Sequence, residues 1–182
     1  MPFAIRAAKP EDAAVLVNLI RELANYEQLV DEANPNADLL TEQLKRHACP
    51  RVEALLAIDT DTQDVVGFAL FFQNYSTFLS RWGLFLEDLY VRPAYRKKGV
   101  GFALFRTLAQ LAEERDCERL EWSVLNWNDL AIKFYKKLGA TAMREWTTMR
   151  LAGDALLAVA HDDPDVGVLA PDATSGQPDP VG

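Results

Sequence analysis

Cysteine and histidine are scarce in this 182-residue chain: Cys49 and Cys117 are the only thiols, and His47 and His161 the only imidazoles. Two distant cysteines outside any CxxC pair exclude a disulfide framework and fit a reducing compartment. None of the four has a partner at ligand spacing, so no metal site is expected. Long apolar runs are missing too. The longest uncharged stretch, Val65–Ser80, has 16 residues and includes Gln73, Asn74, Ser76 and Thr77, too short and polar for a span of about 20 apolar residues. No apolar core marks residues 1–12 as a signal peptide, and a cytoplasmic location is expected. Basic residues are outnumbered, 19 against 27 acids, for a net charge of −8. Nucleic-acid binding needs the opposite field, so a cationic partner suits the chain better. Neither GxGxxG nor GxxxxGK[ST] occurs, which excludes the commonest dinucleotide and P-loop signatures.

What is present is the material of one α/β domain. Hydrophobic residues make up 49% of the chain, enough for a sizeable core. From His161 to Gly182 there are five Asp, four Pro and three Gly, with no Lys, Arg or aromatic residue. Such a segment cannot offset its chain entropy, so the domain is expected over 1–160 and a disordered acidic tail over 161–182. Removing the five aspartates brings the net charge from −8 to −3.

Hydrophobic period divides the domain into elements. Phe3–Ala8 reads as a short strand. Pro10, Glu11 and Asp12 open a helix carrying the stripe Ala13, Leu16, Val17, Ile20, Leu23 and Ala24. A second helix is expected over Asn36–Arg46. Val52–Asp59 and Val65–Asn74 form a hairpin, Leu84–Val91 a further strand, and Leu104, Leu108, Leu111 and Ala112 the stripe of another helix. Arg119–Val124 reads as a strand, Asn128–Leu138 as a helix stopped by Gly139, and Trp146–Leu151 as a last strand. The order β-α-α-β-β-β-α-β-α-β gives a mixed sheet with helices on its faces.

Between strand and helix lies Arg96-Lys97-Lys98-Gly99-Val100-Gly101. Unpaired amides at a helix start suit a diphosphate, and the three cations add to that field. An ordinary strand–helix turn also explains a lone GxG. Two motifs together are more specific: Arg96-x-x-Gly99-x-Gly101 after the strand, then Trp127-Asn128-x-x-Ala131-x-x-Phe134-Tyr135-x-x-Leu138-Gly139-Ala140. This pattern resembles the GCN5-related N-acetyltransferase (GNAT) family. Phe85-Leu86-Glu87-Asp88-Leu89-Tyr90-Val91 and Asn25-Tyr26-Glu27 look like its diamine branch, the spermidine/spermine and thialysine N-acetyltransferases. The resemblance spans roughly residues 3–158.

It implies the GNAT fold, with acetyl-CoA in a V-shaped gap between strands Leu84–Val91 and Arg119–Val124. It places the pantetheine arm on Leu89, Tyr90 and Val91, and the diphosphate on the turn from Arg96 through Lys97, Lys98, Gly99, Val100 and Gly101 to Phe102. Asn128, Ala131 and Tyr135 complete the cofactor contacts; Asn128 also reads as a plain helix cap. A homodimer is implied as well.

An alkyl amine with pKa near 10.4 is about 4 parts in 10,000 neutral at pH 7, a handicap of about 4.6 kcal/mol for direct attack on a thioester. A nearby base lowers it. Glu87, a carboxylate inside an apolar strand, is the base by resemblance; an inter-strand salt bridge is the plainer explanation. Strand alternation sends Asp88 to the opposite face unless a bulge intervenes. Tyr135 is the candidate acid for the departing thiolate, since a phenol is protonated at neutral pH. The family pattern puts Tyr26, Glu27, Glu87, Asp88, Glu121, Trp122, Ser123 and Glu145 around the acceptor, although the loop before Trp146 is one residue shorter than in the spermidine enzymes. Gln28-Leu29-Val30-Asp31 is less acidic and aromatic than a spermine site suggests, which favours a shorter amine or a lysine analogue. Two other readings stay open: acetylation of protein or peptide amines, and a silent acyl-CoA-binding module.

Overall fold

Asp12 fixes the start of the first helix by accepting hydrogen bonds from three donors. In the computed structural model, which describes residues 2–45 and 52–161, Arg6 donates to both its oxygens at 2.7 and 2.8 Å, and the Lys9 amide donates at 2.7 Å. The Arg6 hydrogen bond holds the Asp12 carboxyl below its ordinary value. Strand β1 (Phe3–Ala7) precedes this turn, and α1 (Ala13–Glu27) follows it. Helix α2 (Ala37–Leu44) is capped by the Asn36 side chain, which accepts from the amides of Asp38 and Leu39.

Strands β2 (Glu53–Asp59), β3 (Val65–Ser76) and β4 (Arg81–Val91) come next, then α3 (Val100–Glu114), β5 (Leu120–Trp122), α4 (Asp129–Lys137) and α5 (Gly153–His161). The sheet runs β1-β2-β3-β4-β5. Its first three pairings are antiparallel, and β4 with β5 is parallel. Both faces of the central strands are covered, so β2 and β3 read as nearly continuous apolar runs rather than alternating ones. On one face Leu16, Leu19 and Leu23 of α1 and Leu44 of α2 pack on Leu56, Phe68, Leu70 and Tyr90. On the other, Val100, Leu104, Leu108 and Ala112 of α3 pack on Leu55, Ala69, Phe71, Leu84 and Leu86.

The mixed α/β class stands, with two corrections at the end of the chain. No strand forms over 146–151: these residues are non-regular and exposed, Trp146 by 71% and Met149 by 85%. A strand needs a neighbour for its amides and carbonyls, and no described pairing includes them. Beyond Leu151, where no further element is expected, helix α5 runs Gly153–His161; residues 162–182 of the expected tail lie outside the described residues. So do Arg46, the expected end of the second helix, His47 and Cys49. By contacts the chain divides into two units, 1–132 and 133–182. Among the described residues no helix is long and apolar enough to cross a membrane.

Candidate active site

Strands β3 and β4 stay in step from Ser76–Arg81 to Phe71–Leu86, then slip: Leu70 pairs with Asp88 and Ala69 with Leu89. Glu87 is the extra residue of a β-bulge. The consequence is visible in the packing. Leu84 and Leu86 face α3, whereas beyond the bulge Leu89 and Val91 face it and Tyr90 faces α1. Asp88 therefore shares the α1 face with Tyr90, while Glu87 is exposed. Bulges bend and re-aim a strand in this way.

The same place is where the sheet opens. Strand β5 pairs with β4 only at Leu84–Leu120, Phe85–Glu121 and Leu86–Trp122. From Glu87 to Val91, β4 has no strand partner on its β5 side among the described residues. The expected strand Arg119–Val124 is thus shorter by Arg119 at its start and by Ser123 and Val124 at its end, the last two exposed.

Carboxylates gather beside this opening. Asp88 is half-buried and pushed up to about 6, by desolvation first and then by the charges of Glu87 and Glu27. Burial also raises Glu27, the last residue of α1. Glu121 is engaged differently: its Oε2 accepts from Asn74 Nδ2 at 2.9 Å and lies 2.9 Å from Arg119 Nε. Trp122 packs edge-on against Phe105, with ring centroids 5.0 Å apart.

At the end of β4 the chain makes a short helical turn, Pro93–Tyr95, then runs extended through Arg96. Lys97 (φ 60°) and Gly99 (φ 85°) are left-handed, and at Gly99 the missing Cβ permits this conformation without strain. Gly99 caps α3 without any side-chain hydrogen bond. The first helical bond runs from the Ala103 amide to the Gly99 carbonyl, which leaves the amides of Val100, Gly101 and Phe102 without intrahelical acceptors. Lys97 and Lys98 are exposed, with Lys98 Nζ 5.4 Å from the Tyr95 ring centre. Arg96 turns the other way. Its Nε donates to the Val91 carbonyl at 2.8 Å, and its guanidinium carbon lies 4.5 Å from the Tyr26 ring centre and 5.6 Å from that of Tyr90.

Tyr26 reaches the start of α4 as well. Its hydroxyl donates to Asn128 Oδ1 at 3.4 Å, and its ring lies 6.1 Å from Trp127. Asn128 is buried and caps the helix, accepting from the Ala131 amide at 3.2 Å. The sequence singled out neither Glu22 nor Arg92, yet Arg92 donates to both oxygens of Glu22, and Tyr90 donates to it at 3.3 Å. That pair ties α1 to the end of β4 across 70 residues of chain, a separation with no local signature.

In the second unit, Tyr135 stands on α4, half-buried with its ring 5.3 Å from Phe134. Gly139 is left-handed (φ 90°) past the helix end, as its place after Leu138 predicts. Glu145 is exposed.

A split parallel seam, a bulged carboxylate and an uncapped glycine turn make a coherent set, and comparison with known proteins decides what set it is. Residues 19–140 match the model of the acetyltransferase (GNAT) family. The chain belongs to the GNAT acetyltransferases. It is 35% identical over 164 residues to a thialysine N-epsilon-acetyltransferase from Bos taurus, covering 86% of this chain and 96% of that one. Over 95 residues it is 45% identical to an L-ornithine N5-acetyltransferase from Arabidopsis thaliana, which is 52% of this chain and 42% of the relative. Among solved structures, an integron cassette protein from V. cholerae superposes with a TM-score of 0.72 at 29% identity, covering 88% of this acetyltransferase and 99% of that chain. Family membership implies use of acetyl-CoA.

Proposed function

We propose that this acetyltransferase transfers an acetyl group from acetyl-CoA directly to a primary amine of a small diamine, polyamine or lysine analogue. One observation carries the reading: the β4–β5 seam opens after Leu86, at the bulge that exposes Glu87 and turns Asp88 towards α1. An extended amide-bearing arm can pair with the free edge at Leu89, Tyr90 and Val91 as an added strand does. The turn from Lys97 to Phe102 suits a diphosphate through its unpaired amides and the positive end of α3. The co-substrate supplies the activated acetyl group; the chain's residues bind it, neutralise the amine and handle the protons.

Glu27, Glu87 and Asp88 are the carboxylates for a cationic acceptor, and Glu121 is partly neutralised by Arg119. Glu87, the solvent-facing member, takes a proton from the bound ammonium, directly or through water, and the neutral amine so formed attacks the thioester carbon. As the C–N bond forms the C–S bond breaks and Tyr135 donates its phenolic proton to the thiolate; the nitrogen gives up its second proton to solvent, and solvent reprotonates the Tyr135 phenolate. The thialysine and ornithine enzymes among the relatives favour an acceptor with one amine to acetylate and a second polar end to hold.

Free-thiol release with acetyl-CoA tests this against thialysine, ornithine, lysine, putrescine, spermidine and a peptide panel. Release is expected with the short diamino acids and diamines. Release with peptides alone, or with no amine, overturns the reading.

A further inference from the structure

Arg96 opens the glycine turn, where an exposed cation would serve a diphosphate, but the side chain is engaged elsewhere. Its Nε–H is taken by the Val91 carbonyl, and its guanidinium carbon stands over the Tyr26 ring and within reach of that of Tyr90. Each tyrosine is a close neighbour of an acceptor-side carboxylate. Tyr26 adjoins Glu27 at the last turn of α1, and Tyr90 follows Asp88 by two residues on the same face of β4. Glu27 and Asp88 lie close enough for the charge of one to act on the other. The Glu22–Arg92 pair ties the body of α1 to the end of β4, and Arg96 adds a contact at the last turn of the helix itself, where Tyr26 adjoins Glu27.

We propose that Arg96 and Tyr26 are positioning residues for the amine: a guanidinium strap that fixes the gap between Glu27 and Asp88, and not a contact to the CoA diphosphate. Planar stacking and a directed Nε–H bond are properties of arginine that lysine lacks. The Tyr26 hydroxyl extends the strap to Asn128 at the cap of α4. This inference rests on the reading of acetyl-CoA and amine binding given above, and it makes a different demand. A diphosphate contact affects the co-substrate through charge; a strap affects the amine through geometry.

Four variants separate these demands: Arg96→Gln, Arg96→Lys, Tyr26→Leu and Tyr26→Phe. Calorimetric CoA binding is measured from about 50 to about 500 mM salt, a range that screens an exposed contact strongly. Initial rates are measured with acetyl-CoA and with acetyl-pantetheine, which lacks the nucleotide and its diphosphate. The strap requires Arg96→Gln to keep the wild-type salt dependence of CoA binding. It also requires the amine KM to rise about tenfold with kcat within about threefold, the size that loss of one charge-assisted hydrogen bond, here Nε–H to the Val91 carbonyl, supports. The rise should be equal with both acyl donors. Arg96→Lys should behave like Arg96→Gln despite its charge, Tyr26→Leu should reproduce the KM rise, and Tyr26→Phe, which keeps the ring, should recover most of it. A flattened salt dependence in Arg96→Gln, full rescue by Arg96→Lys, or a loss seen with acetyl-CoA alone overturns the strap. If wild type releases thiol with no amine, the proposed function fails, and the salt dependence of CoA binding still decides the role of Arg96.

Discussion

Asp88 and Glu87 adjoin in sequence, yet their surroundings differ, and each has its own measurable signature. The Asp88 carboxyl is raised from 3.8 to about 6, chiefly because burial disfavours its charge. A folded value above the unfolded one means the native state holds that proton more tightly. Its stabilising contribution is therefore complete below the unfolded value and lost as pH rises through about 6. Asp88→Asn removes the titration, so the variant should gain melting temperature relative to wild type between about pH 4 and about pH 7. An unchanged difference across that window would show that burial does not govern Asp88. Tyr135 has a kinetic signature instead. Tyr135→Phe keeps the ring and loses only the proton, so kcat should fall by about 10²-fold or more, the range for lost general-acid catalysis, with CoA affinity within a few-fold. A variant as fast as wild type would remove Tyr135 from proton transfer.

At the scale of elements, close approach decides which substitutions the sheet tolerates. Gly67 pairs with Val91 across the β3–β4 ladder, and a Cβ there would stand 2.7 Å from the Tyr90 carbonyl oxygen. Gly67→Ala must push β3 and β4 apart beside the free edge, so a loss of about 1–3 kcal/mol in denaturant unfolding is expected. A neutral result would mean that this ladder gives way easily. Elements with a strong hydrophobic period were legible in the sequence: α1 and α3 needed only their stripes, and the β2–β3 hairpin its two apolar runs around Thr60–Asp64. Leu19, fully buried though absent from the expected stripe, shows that the apolar face of α1 is wider than the i, i+3, i+4 pattern suggests. Trp146–Leu151 has the composition of a strand, but composition cannot supply a pairing partner. The bulge was legible only as a possibility, because a two-against-one pairing depends on β3 as well as on β4. The Arg96–Tyr26 stack and the Glu22–Arg92 pair were not legible at all, since contacts across 70 residues leave no periodic trace.

For the whole molecule, charge is the property that composition alone conveys. A net charge of −8 attracts dications over a distance comparable to the screening length, about 10 Å at 0.1 M salt. Five of the acids lie between His161 and Gly182, distant in sequence from the carboxylates of the candidate site. Truncation after His161 should therefore leave kcat within about twofold while weakening the salt dependence of kcat/KM for a diamine, as expected for long-range steering. A collapse of kcat would mean that the last residues take part in the chemistry.

The bulge carries one implication of its own. A chain lacking only Glu87 would set Leu86 and Asp88 side by side opposite Phe71 and Leu70, so the pairing and facing from Asp88 to Val91 would survive while the bulge itself vanished. The aspartate would still face α1 with Tyr90, but β4 would lose the local bend and added twist that an extra residue imposes. Single-residue deletion at this point should thus leave the melting temperature near that of Glu87→Ala, while any added loss of turnover would measure what the bend itself contributes.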